Sequence, residues 1–155
     1  MYDVNVEDAP ARRVAALAHR GAYLEIGNAF EQASTMIGAR DLWSQVGKMI
    51  GVYLDDPTAV PAADLRSWAG CELVDGVELP AGFECVELRD GPIARLRFQG
   101  PYAGINKGYD YLYREWLPNS GRDPSDAPVY ELYLNTPFEA APADLLTDIC
   151  LPLRA

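Results

Sequence analysis

The chain has 155 residues, of which 49% are apolar, so it has length and hydrophobic content for one domain or two very small units fused around a common core. No apolar run reaches the ~18 residues of a membrane span, and residues 1–10 have neither the basic start nor the apolar stretch of a signal peptide, so the expected compartment is the cytoplasm. A net charge of −10 without a basic cluster argues against direct nucleic-acid binding, and Cys71, Cys85 and Cys150 are too widely spaced for a metal-ligand pattern and read as reduced thiols.

In chain order, residues 14–19 alternate as a strand does, and a Gly21-x-Tyr23 turn follows. Ile26, Ala29, Phe30, Ala33 and Ile37 then fall three and four apart, which predicts a helix with one apolar face that stops at Gly38. Two further strands are predicted at 49–54 and 66–74, and an additional strand at 84–88 lies within the joining segment. The same order then returns. A strand is predicted at 93–98, followed by Gly100-x-Tyr102. A helix carries Ile105, Tyr109, Leu112 and Trp116 and stops before Pro118, and strands follow at 129–134 and 146–153.

The recurrence extends to residue identities. "RVAALAHRGAYLEIGNAF" aligns with "PIARLRFQGPYAGINKGY" about 80 positions later, matching Gly21 with Gly100, Tyr23 with Tyr102 and Ile26 with Ile105. Tyr53-Leu54 matches Tyr133-Leu134, Pro57 matches Pro137, and Ala63-Asp64-Leu65 matches Ala143-Asp144-Leu145. The predicted architecture is α+β: duplicated β-α-β-β units with pseudo-twofold symmetry, an antiparallel sheet with helices on one face, and a central ligand groove. The chain is expected to be a single domain over 1–155, with repeat unit one at about 10–75, a linker at 76–91 and repeat unit two at about 92–155.

Strand alternation assigns side chains to faces. Taking the apolar sets as helix-facing puts Val52, Leu54, Tyr130, Leu132 and Leu134 under the helices, with Ala69, Cys71 and Leu73 and their counterparts Ile149, Leu151 and Leu153. Gly51, Tyr53, Glu131 and Tyr133 then point to the other face, with Trp68 and Asp148. Large aromatics around one carboxylate are the make-up of a ligand site. A carboxylate buried among aromatics has its pKa raised unless a cation or hydrogen bond compensates, and such groups are functional candidates. Trp116 and His19 fall on packing positions and read as structural. No serine has the context of a nucleophile elbow, "GINKGYDY" does not follow a phosphate-loop pattern, and "RDPSDAP" reads as a loop.

The stretches "HRGAYLEIGNAF", "GVYLDDP", "PAADLRSWAGCEL", "LPAGFE", "GPYAGINKGYDYLYREWLPNSG", "YELYLNTP" and "TDICLPL" together cover nearly the whole chain. In their order and spacing the chain resembles the GyrI-like small-molecule-binding domain family, which includes effector-binding domains of multidrug-responsive transcription regulators and stand-alone DNA gyrase inhibitor proteins. The resemblance implies two β-α-β-β modules around a central groove. It implies an E-x-Y motif, here Glu131 and Tyr133, that meets cationic or polar drug-like ligands. Glu131, Tyr133, Tyr53, Trp68 and Gly51 are the expected ligand-binding residues, with no cofactor and no metal. Trp68 departs from the acidic or small polar residue common at its position, and in the groove it would favour flat aromatic ligands. The implied function is capture of a hydrophobic or cationic small molecule, in toxin resistance or effector sensing. One alternative is hydrolysis of strained, cyclopropane-bearing toxins with Glu131 as general base. Another is inhibition of DNA gyrase by protein contact. The sequence has no helix-turn-helix, so a regulatory role would need a separate transcription regulator as partner.

Overall fold

The computed structural model describes residues 2–155. In chain order its main elements are β1 (Val4–Ala9), β2 (Arg12–Arg20), α1 (Gly27–Ala39), β3 (Val46–Tyr53), β4 (Arg66–Leu73), β5 (Glu84–Leu88), β6 (Gly91–Gln99), α2 (Asn106–Tyr111), α3 (Leu117–Ser120), β7 (Val129–Tyr133) and β8 (Leu146–Pro152). They form two compact units: a terminal unit, from the residues up to Pro10 together with Asp90–Ala155, and a middle unit, Ala11–Arg89. The middle unit orders its strands β3-β4-β2-β5 and the terminal unit β7-β8-β6-β1, with every pairing inside each unit antiparallel. This is the α+β architecture that the periodicities predict.

In each unit a helix packs on one face of the strands. The terminal core joins Ala94, Leu96 and Phe98 of β6 to Ile149 and Leu151 of β8 and to Leu112 of the helix. The middle core joins Ala15, Cys71 and Leu73 to Ala33 and Ile37 of α1, and a second cluster sets Ile26 and Ala29 against Ala69. The two units distribute bulk differently at one matched contact. In the middle unit, Ala29 shares its cluster with Ala69. In the terminal unit the helix carries Gly108, and a Cβ there would stand 3.1 Å from Ile149 Cδ1 and 3.3 Å from Leu96 Cδ2. The larger strand residue is accommodated by the smaller helix residue. Gly70 is required for a different reason: a Cβ on it would lie 1.9 Å from the carbonyl oxygen of Ala15, so only glycine permits β2 and β4 to approach this closely.

Two expectations need correction. The second helix does not stop before Pro118. A π-helical turn at Leu112–Trp116 leads without a break into α3, which has Pro118 in its first turn. The helix ends instead at Gly121, whose φ of 70° is left-handed. The strand expected at 84–88 within the joining segment is β5, which pairs with β2 from Arg12↔Leu88 to Ala16↔Glu84. Finally, β1 has no counterpart in the predicted elements. It precedes β2 in the chain yet pairs with β6, while β5 precedes β6 and pairs with β2.

Candidate functional site: a carboxylate held by tyrosines

Residues directly opposite one another in an antiparallel pair share a face. In the terminal unit Glu131 is opposite Ile149 and Tyr133 is opposite Thr147. Ile149 is in the core with Leu112 of the helix, so Glu131 and Tyr133 lie on the helix-bearing face. In the middle unit Gly51 is opposite Ala69 and Tyr53 is opposite Ser67, which puts both on the face that carries α1. Strand alternation predicts the opposite, with all four pointing away from the helices. It failed because β7 is buried on both sides, with Tyr130, Glu131 and Leu132 only 3%, 5% and 7% exposed. Hydrophobic alternation then carries no direction.

Trp68 lies on the other side of its sheet, opposite Ala18 on one neighbour and Val52 on the other. It therefore does not share a face with Tyr53. Its terminal-unit counterpart Asp148 lies opposite Arg97, whose guanidinium donates to both carboxylate oxygens at 2.7 and 3.0 Å. The same sheet position carries an aromatic over alanine in one unit and an ion pair in the other.

Glu131 is held from two directions. The Tyr133 hydroxyl donates to Oε1 at 2.8 Å, and the Tyr109 hydroxyl, from α2, donates to Oε2. Hydrogen bonds to an ionised acceptor are roughly twice as strong as neutral ones, so this cradle is a stiff one. The Tyr102 ring meets the Tyr133 ring edge-on, with centroids 5.7 Å apart at 81°, and Tyr109 stacks on Tyr113 at 6.4 Å and 9°. Burial, and then the negative charge of Glu131, hold the Tyr102 phenol above the ordinary tyrosine range. The ring of Tyr102 thus lies within electrical reach of the carboxylate.

The matched position in the middle unit has the same aromatic pair and lacks the charge. Tyr23 meets Tyr53 edge-on at 4.8 Å and 71°. Gly51 stands where the terminal unit has Glu131, and Phe30 stands where it has Tyr109. The Tyr23 hydroxyl is pinned: it accepts from the Asp55 amide at 2.9 Å and lies 2.9 Å from the Asp55 carbonyl and 3.1 Å from that of Arg66. Among the described residues no hydrogen bond fixes the Tyr102 hydroxyl. Tyr102 and Tyr109 were absent from the expected site residues. The usable signal was paired: where the repeat changes Gly51 to Glu131, it also changes Phe30 to Tyr109, acquiring an acceptor and its donor together.

His19 sits with Nε2 3.2 Å from the Ala22 carbonyl, and Trp116 is packed against the terminal core. Among the described residues no cluster of His, Cys, Asp or Glu could hold a metal ion, and no helix is long and apolar enough to cross a membrane.

The model of the GyrI-like small molecule binding domain matches residues 2–154. The chain belongs to this family. A DNA gyrase inhibitor of Erwinia billingiae is 31% identical over 109 residues, an alignment that covers 64% of this chain and 66% of the relative, just under two thirds of its length. Among solved structures, the EcmrR C-terminal domain superposes with a TM-score of 0.76 at 15% identity, covering 99% of this chain and 98% of the other. SAV2435 bound to tetraphenylphosphonium superposes with a TM-score of 0.72 at 11% identity, covering 99% and 94%. At such identities the two structures establish the GyrI-like fold of this chain and nothing finer.

Proposed function

We propose that this small-molecule-binding domain captures hydrophobic, cationic, drug-like compounds at Glu131, in a toxin-protection or effector-sensing role. One observation carries the reading: a carboxylate only 5% exposed lies on the helix-bearing face, each oxygen held by a phenol, beside the edge-on pair Tyr102 and Tyr133. A desolvated carboxylate attracts a cation far more than an exposed one, and each aromatic face in reach adds roughly 0.5–2 kcal/mol of cation–π attraction. On the middle unit, Tyr53 beside Tyr23 forms a separate, uncharged aromatic surface next to Gly51. Trp68, on the opposite side of its sheet, is left out of the site. The tetraphenylphosphonium bound to the structural neighbour is a ligand of the expected kind, an aromatic cation.

Calorimetric titration with tetraphenylphosphonium and with neutral triphenylphosphine oxide tests this. Wild type is expected to prefer the cation. Glu131→Gln is expected to lose about 1–3 kcal/mol for the cation and little for the neutral compound. Equal loss for both, or none, overturns the assignment. Hydrolysis would appear differently in the same variant: binding of a neutral electrophile persists while product formation falls on the order of a hundredfold, the usual contribution of a general base.

A second reading draws support from the relative named as a DNA gyrase inhibitor. Under it, the acidic chain docks on a basic surface of gyrase. Adding purified protein to a gyrase supercoiling reaction tests it, and unchanged supercoiling at a large molar excess removes it.

A further inference from the structure

The two phenols on Glu131 come from different elements, and each is backed by a second ring. Tyr133, two residues along β7, meets Tyr102 edge-on, and Tyr109, from α2, stacks on Tyr113 at 6.4 Å and 9°. The middle unit separates the two pairs. It keeps the first, as Tyr23 and Tyr53, although Gly51 stands where the terminal unit has Glu131. It does not keep the second: Phe30 matches Tyr109, and Ser34 matches Tyr113. Between these positions the alignment is anchored by Ala33 and Leu112, which match each other and are both 0% exposed. The edge-on pair therefore belongs to the shared fold. The carboxylate, the helix phenol and the ring stacked on it occur together in one unit and are replaced together in the other.

Resting on the reading of Glu131 as a cation site, we propose that Tyr113 is a positioning residue for that site: its ring holds the Tyr109 ring in place and so keeps the Tyr109 phenol on Glu131. Side chains on a helix lean toward its N-terminus, which brings residue i+4 against residue i. Tyr109 has to reach from the helix to β7, and rotation about its χ1 would swing the phenol off the carboxylate. A parallel ring one turn further on opposes that rotation. The support matters here because α2 is only 6 residues long and passes directly into the π-helical turn that starts at Leu112. A carboxylate already held in place meets a cation without first losing side-chain freedom, and its hydrogen bonds offset the cost of burying its charge. Tyr113 acts through Tyr109 and needs no contact with the ligand.

The test measures tetraphenylphosphonium affinity in a double-mutant cycle of Tyr113→Ala and Tyr109→Phe. Tyr113 is 40% exposed and alanine is the better helix former, so the variant is expected to fold. Tyr113→Ala should lower the affinity about threefold to tenfold, the effect of losing a stacked aromatic pair. Tyr113→Phe keeps the ring and should retain wild-type affinity. Tyr109→Phe removes the phenol that Tyr113 positions, so adding Tyr113→Ala to it should change the affinity little further. Neutral triphenylphosphine oxide should bind all of these variants alike. Unchanged cation affinity in Tyr113→Ala, while Glu131→Gln still weakens the cation, overturns the proposal and leaves the cation site standing. So does an equal loss in the Tyr109→Phe background, which would mean that Tyr113 touches the ligand or merely supports the helix. A parallel loss for the neutral compound, or a Tyr113→Phe variant as weak as Tyr113→Ala, overturns it as well. If Glu131→Gln leaves cation binding unchanged, the cation reading falls and this proposal falls with it.

Discussion

Tyr23 and Tyr102 occupy the same place in their units, and both phenols hold their protons above the ordinary tyrosine range, in each case chiefly through burial. The folded state then binds the proton more tightly than the unfolded chain. The contribution is fully present below the unfolded tyrosine pKa of about 10 and is lost as pH rises through the raised folded value. Urea midpoints measured from pH 8 to 11 are expected to fall above about pH 10, and Tyr102→Phe should flatten part of that decline. A Tyr102→Phe curve parallel to wild type would deny the tyrosine this role. The cysteines differ as sharply. Burial pushes the Cys71 thiol up to about 11, whereas Cys85 is exposed on β5. The thiolate is the reactive form, so iodoacetamide at pH 8 is expected to label Cys85 alone in the native protein and all three only in denaturant. Peptide mass mapping reads the sites directly, and early modification of Cys71 would contradict its burial.

At the scale of elements, the contact of α2 with β6 and β8 depends on the missing side chain at Gly108. Gly108→Ala gains up to ~1 kcal/mol of helix propensity but forces a methyl against Ile149 and Leu96, and overpacking of this kind costs about 1–3 kcal/mol. A net loss of about 1 kcal/mol is expected. Ile149→Val, which alone costs about 0.5–1.5 kcal/mol, should make the double variant more stable than the sum of the single losses. Strict additivity in denaturant titrations would mean the two residues do not share a contact. These same elements account for how much was legible beforehand. The helices, the six repeated strands and β5 were readable because each has one buried side or a clear alternation. The direction of β7 was not, because Tyr130 and Leu132 are as buried as Glu131. Glu131 and Tyr133 were therefore singled out by residue but assigned to the wrong face, and Trp68 was drawn into the expected site by the same reversal. Strand β1 was missed because its burial comes from a partner about 90 residues away, Val4 against Leu96, which local patterning cannot register.

Across the whole molecule, the most distant pairing in the sequence is also the one that closes the terminal unit. Tyr2 packs on Phe98 and Tyr111 with ring centroids 6.0 and 5.6 Å away, and Val4 joins the same core. Deleting residues 2–10 is expected to cost roughly 2–5 kcal/mol, from the burial of these two side chains and the lost strand pairing. In hydrogen-exchange mass spectrometry the amides of β6 should exchange faster while those of β2 keep their protection. Equal loss in both strands would mean that β1 supports the chain as a whole. The crossed leading strands also bear on how the gene can be rearranged. Opening the chain between Arg89 and Asp90 and joining Ala155 to Met1 through a flexible crossover linker of about a dozen or more residues, long enough to run back along β6 because β8 and β1 are parallel to each other, gives a circular permutant that reads β6-α2-α3-β7-β8-β1 and then β2-α1-β3-β4-β5. Each unit becomes an unbroken stretch that supplies its own outermost strand. The natural order differs from a plain tandem array by the transposition of one strand, so each stretch of the permutant can be cloned as a separate polypeptide with no pairing partner inside its unit left behind.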